Sequence, residues 1–133
     1  IRLVKANPKQ GTLIKELVHT LSKLRIKHKL KDHNSLEDIE SSVKNLNLCI
    51  VDYQAWGKNG KVVKKLKAGH YSVIFGFNKT HFYVADPYKH HTLKKRLWGF
   101  RTIRKDLFLK RWKTQENGEK KIIHWMVVIP IEQ

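Results

Sequence analysis

The apolar positions of this chain change period several times, and each change marks an element. Leu13, Ile14, Leu17, Val18, Leu21 and Leu24 recur at helical spacing, which predicts an amphipathic helix over 13–24 with Thr12 as its N-cap. Upstream, Ile1 to Ala6 reads as the last turns of another helix, stopped by Asn7-Pro8. RIKHKLK then alternates apolar and basic residues, predicting a short strand at 25–31. After a turn at 32–35, Ser35 and Asp38 stand at capping-box spacing before a helix carrying Leu36, Ile39 and Val43 and ending near Lys44. LCIVDY, at 48–53, is a continuous apolar run, as expected of a central strand.

The second half is mostly strand-like. HYSVIFGF (70–77) and HFYVA (81–85) are separated by Asn78-Lys79-Thr80, which predicts a β-hairpin. With those three residues as the loop, position 72 faces 86 and 74 faces 84. His70 and Asp86 are then diagonal neighbours on one face, about 7–8 Å apart at the backbone. A two-residue loop would place them on opposite faces, because one step of register turns every side chain over. Beyond the hairpin, Thr102 is positioned to cap a helix over 103–112, with Ile103, Leu107, Phe108 and Trp112 on its inner stripe. A charged turn around Asn117-Gly118 leads to a closing strand over 122–131. Between these elements lie two loops, a lysine-rich one at 56–69 with a short ordered piece at Val62-Val63, and a basic, aromatic one at 88–100.

The pairing of His70 with Asp86 carries the candidate chemistry. An acid can orient an imidazole and stabilise its charged form while the second ring nitrogen works as a base on a nucleophile. The nucleophile is not evident. The single cysteine, Cys49, lies inside LCIVDY and reads as a small buried hydrophobe. It also excludes a disulfide within the chain and leaves the compartment open.

At 133 residues and 41% hydrophobic, the chain is long and apolar enough to bury a core, which points to one α+β domain over 1–133 without internal repeats. No apolar run approaches the length of a membrane helix, about 20 residues. The net charge of +17 is unevenly spread. Residues 58–67 hold five lysines and no acid, and 89–113 hold ten Lys or Arg against Asp106 alone, so two segments bracketing the hairpin carry most of the excess. Such a field favours anionic partners. His90-His91, His81 and His124 lack Cys or carboxylate at ligand spacing, so no metal or other cofactor is expected.

GHYSVIFGF followed by HFYVADPY resembles the His and Asp segments of papain-like cysteine peptidases of the bacteriocin-leader (double-glycine) type. Their pattern is Gly-His-aromatic-x-Val-x-x-Gly-aromatic, a turn, and a strand ending in Asp-Pro. IRLVKANPKQGTLIKELVHTLSKL looks like the family's helix end, Gly-Thr turn and second helix, and LNLCIVDYQAW looks like the strand leading to the His loop. TIRKDLFLKRW is similar to the closing helix with its aromatic-Leu-x-x-Trp spelling. The resemblance implies a papain-like α+β domain, a mostly antiparallel sheet packed against helices, with His70 as catalytic base and Asp86 as its orienting acid. It also implies a Cys at a helix start and an oxyanion-hole Gln, both N-terminal to these segments. The chain therefore reads as an N-terminally truncated domain whose nucleophile lies outside it.

Gln54, at a strand end, is an auxiliary candidate for oxyanion stabilisation. Trp56, Lys58, Lys61, Lys64, Lys65, Tyr88, Lys94, Lys95, Arg96 and Trp98 would form a substrate- or anion-binding rim. Two functions follow. One is thiol-dependent hydrolysis of a peptide or protein substrate. The other is a catalytically inactive module that binds nucleic acid or an acidic protein through its basic loops. Trp56, Trp98, Trp112, Tyr88 and Phe100, set among basic residues, suit stacking on single-stranded nucleic acid, although Trp112 also falls on a core stripe.

Overall fold

The computed structural model describes residues 12–55, 69–87, 99–116 and 119–133. Its helices are α1 (Ile14–Lys23), α2 (Leu36–Lys44) and α3 (Lys105–Arg111). Its strands are β1 (Lys29–Lys31), β2 (Asn47–Gln54), β3 (Gly69–Phe77), β4 (His81–Ala85), β5 (Phe100–Arg104), β6 (Lys113–Thr114), β7 (Ile122–Ile123) and β8 (Met126–Pro130). Six strands form one sheet in the order β1-β8-β2-β3-β4-β5, antiparallel throughout, and β6 pairs with β7 in a separate ribbon. The class is α+β.

The apolar run at 48–53 becomes β2, inside the sheet between β8 and β3. Alternate side chains of a strand face opposite ways, and β2 feeds two cores. Cys49, Val51 and Tyr53 pack with Ile39 of α2 and Phe108 of α3. Ile50 packs with Ile14, Leu17, Val18 and Leu21 of α1, together with Trp125 and Val127. The capping box of α2 forms as its spacing predicts. Ser35 Oγ accepts the Asp38 N–H at 3.1 Å, and Asp38 Oδ2 accepts the Ser35 N–H at 2.8 Å.

Several boundaries differ from the sequence reading, each for a local reason. Thr102 caps no helix. Tertiary pairing with β4 draws 100–104 into strand, with Thr102 opposite Tyr83 and Ile103 opposite Phe82. The helix begins only at Lys105. Leu13, not Thr12, occupies the N-cap of α1 without a side-chain cap bond, and the Thr12 carbonyl accepts the Tyr71 hydroxyl at 2.8 Å. Arg25 adopts a left-handed φ of 57° and ends α1, so only 29–31 remain as strand. His124, at φ 50°, divides the closing strand into β7 and β8. The helix end expected at Ile1–Ala6 and the ordered piece at Val62-Val63 lie outside the described residues.

The hairpin β3–β4 reaches its predicted pairing by another route. Its turn is the two residues Lys79-Thr80, closed by the Asn78 N–H on the His81 carbonyl at 3.0 Å. Asn78 Oδ1 accepts the N–H groups of Thr80 at 2.9 Å and His81 at 2.8 Å, the local bonding for which asparagine is favoured in turns. Beside this turn Phe77 faces Phe82 and Gly76 faces Tyr83, the register that would set His70 and Asp86 on opposite faces. A β-bulge at Phe75 takes up one residue. Beyond it Ile74 faces Val84 and Val73 faces Ala85, so the step is undone before the outer end of the hairpin.

Candidate active site

His70 is the second residue of β3 and pairs across the ladder with Tyr53 of β2, whose ring meets the imidazole edge-on at 6.2 Å. Asp86 follows the last residue of β4. Its backbone N–H donates to the Gly99 carbonyl at 2.6 Å, which anchors it just before Pro87. Gly99 adopts φ +87°, a conformation that side-chain-bearing residues rarely take, and from there the chain enters β5.

The two side chains meet. His70 Nε2 lies 2.7 Å from Asp86 Oδ1, and the Asp86 side chain is 0% exposed against 14% for His70. The other carboxyl oxygen, Oδ2, accepts from Arg101 Nε at 3.0 Å. Arg101 also donates through Nη2 to the Tyr53 hydroxyl, closing a ring of four side chains from β2, β3, β5 and the end of β4. Burial and the nearby Arg111 guanidinium hold Arg101 below the usual arginine range. Paired with a guanidinium on one oxygen, Asp86 is a carboxylate that only accepts hydrogen bonds, so His70 Nε2 carries a proton and donates it. In that tautomer Nδ1 carries the lone pair.

Arg101 and Tyr53 were not anticipated from the sequence. Arg101 stood in a basic run assigned to a connection, and only the conversion of 100–104 into strand aims it at Asp86. Tyr53 was visible as a residue of the central strand, but its cross-strand place opposite His70 depends on a register that sequence alone leaves open.

Cys49 is fully buried, and burial pushes its thiol up to about 11. It lies four residues along β2 from Tyr53, about 13 Å at strand rise. Both observations agree with its reading as a core residue. Gln54 is buried as well. By strand alternation it points away from the Tyr53 side, and its Nε2 donates to the Lys113 carbonyl at 3.0 Å. The structure does not bring Gln54 to His70. The ten rim residues, Trp56, Lys58, Lys61, Lys64, Lys65, Tyr88, Lys94, Lys95, Arg96 and Trp98, all lie outside the described residues. Trp112 is core, with its indole N–H on the Trp125 carbonyl at 2.8 Å and its ring stacked on His124. Among the described residues no three His, Cys, Asp or Glu side chains gather into a metal-ligating group, and no helix is long and apolar enough to cross a membrane.

A second acid, Asp52, lies one residue before Tyr53 and faces the other side of the sheet. It is buried, and its Oδ1 has no hydrogen-bond partner. Burial first, and the charge of Glu116 second, raise its carboxyl to about 7, while Thr114 and the His70 backbone N–H partly offset both. Gly69 makes room for this arrangement. A Cβ there would come within 3.0 Å of both Asp52 Oδ1 and Thr114 Oγ1.

No family model and no curated protein matches the chain. Among solved structures, a Bacillus anthracis protein described as a C39-like peptidase superposes with a TM-score of 0.56 and 18% sequence identity, over 95% of this chain and 70% of that one. The chain therefore shares the fold of that protein, a papain-like fold.

Proposed function

We propose that this chain is part of a papain-like cysteine peptidase of the leader-peptidase type, with His70 as general base and acid and Asp86 as the carboxylate that orients it. The observation that carries this reading is the 2.7 Å contact from His70 Nε2 to a fully buried Asp86 oxygen. Asp86 fixes the imidazole ring and stabilises the imidazolium that forms when Nδ1 accepts the thiol proton. The thiolate attacks the peptide carbonyl, the imidazolium returns its proton to the leaving amine, and water resolves the acyl-enzyme. On this reading the attacking thiol would come from outside these 133 residues, since Cys49 is in the core. The basic loops at 58–67 and 89–101 would favour acidic substrate segments.

A thiol-directed probe tests this on the native full-length protein. Labelling is expected at a cysteine other than Cys49 and is expected to fall when His70 is replaced by Ala. Labelling that ignores the His70 substitution would remove the base from the scheme.

A second reading is favoured by the charge of +17 and by the core position of Cys49. On it the domain is catalytically inactive and binds nucleic acid or an acidic protein through its basic loops. Binding would then weaken steeply with salt. A complex indifferent to salt between low and physiological ionic strength would count against it.

A further inference from the structure

The bulge at Phe75 has a second effect, on the face of the sheet opposite His70. At a bulge two consecutive residues point the same way, and here these are Phe75 and Gly76. Gly76 faces Tyr83, whose ring lies so close that a Cβ on Gly76 would fall 2.7 Å from Tyr83 Cδ2. Phe75 meets the Tyr83 ring at 6.4 Å and the Phe100 ring edge-on at 5.7 Å, with the small residue Ala85 between Val73 and Phe100 in the ladder. Three rings from three neighbouring strands thus form one contiguous aromatic surface. Phe75 is 41% exposed and Phe100 53% exposed. None of the three belongs to either core cluster, and α1 packs over β2 and β8 instead.

A single exposed phenylalanine needs no explanation, but three rings in contact on a sheet face that no described helix covers do. Along the same face of β4 and β5 stand His81, Thr102 and Arg104, and no acid among the described residues. Asp106, at the start of α3, is paired with Arg104 at 2.6 Å. Aromatic side chains on adjacent antiparallel strands are a general means of stacking unpaired bases, while nearby cations track the phosphates.

We propose that Phe75, Tyr83 and Phe100 form a stacking platform for single-stranded nucleic acid. The occupant is chosen by the exposed ring faces together with the +17 charge of the chain. A duplex keeps its bases stacked on one another and offers the rings nothing but its backbone. The platform deepens the second reading above, sharing its nucleic-acid ligand and Phe100, but it rests on β3, β4 and β5 rather than on the basic loops. It lies on the opposite face from His70, so it and the peptidase reading stand or fall separately.

The test is fluorescence anisotropy with short labelled oligouridylate, oligothymidylate and a duplex of the same length, using wild type, a Phe75→Leu/Phe100→Leu variant and His70→Ala. Leucine keeps the surface apolar but cannot stack. Wild type and His70→Ala are expected to bind single strands more tightly than duplex, and the two oligomers separate RNA from DNA as the natural source. The leucine variant is expected to lose affinity on the order of tenfold per ring removed. A 4-thiouridine-substituted oligomer should crosslink wild type at peptides containing Phe75, Tyr83 or Phe100, a readout independent of any variant's folding. Unchanged binding by a folded leucine variant, equal affinity for duplex, crosslinks confined to other peptides, tighter binding of polyglutamate than of the oligomers, or no binding would each overturn the proposal.

Discussion

Replacing Asp52 with Asn should make the protein more stable at pH 8 while leaving it no more stable at pH 4. Asp52 is buried, has one oxygen without a partner and faces the charge of Glu116, so its carboxyl is raised from 3.8 to about 7. The folded value lies above the unfolded one. As pH rises past about 4 the unfolded chain releases the proton first, and stability falls until the folded protein releases it near pH 7. At roughly 1.4 kcal/mol for each pH unit in that window, the loss in wild type is about 4 kcal/mol. An amide does not titrate, so the variant escapes this loss. It gives up the carboxylate's bonding to Thr114 and the His70 N–H, worth about 1 kcal/mol each. A net gain of about 2 kcal/mol is expected at pH 8 and a loss of about 1–2 kcal/mol at pH 4. Urea unfolding of both proteins across this range isolates the effect, because the other titrating groups are common to both. A difference that does not vary with pH, or a variant less stable at pH 8, would refute the reasoning.

Gly69→Ala should destabilise by about 1–3 kcal/mol, since the new Cβ would sit 3.0 Å from Asp52 Oδ1 and Thr114 Oγ1. Equilibrium unfolding reads this directly, and combining it with Asp52→Asn should give a non-additive result. Arg101→Met should cost about 3 kcal/mol by stripping one partner from the buried Asp86 carboxylate. A midpoint within error of wild type would show that the carboxylate does not need the guanidinium.

Much of the architecture was legible because local signals agreed with it. The stripe of α1, the capping box of α2 and the apolar run of β2 each act within a few residues and survive into the fold. What misled was tertiary. Residues 102–104 carry a helical pattern into 105–111, yet pairing with β4 takes them as strand. The site shows the same division. His70 and Asp86 were placed together on the basis of a three-residue loop, and they do meet, but through a shorter turn whose register error the bulge at Phe75 cancels. Nothing in the local spelling distinguishes those routes. Arg101 escaped notice because its role depends on that unexpected strand. Asp52 looked like one polar residue in an apolar run, and its buried setting arises from Thr114 and Glu116, more than sixty residues away in sequence.

The central claim is that the His70–Asp86 pair serves peptide hydrolysis. The direct measurement is turnover of a peptide panel, including acidic segments, by the native full-length protein and by its His70→Ala form, with folding checked by circular dichroism. The account predicts hydrolysis by wild type and none above background in the folded variant. Hydrolysis retained in the variant would contradict it.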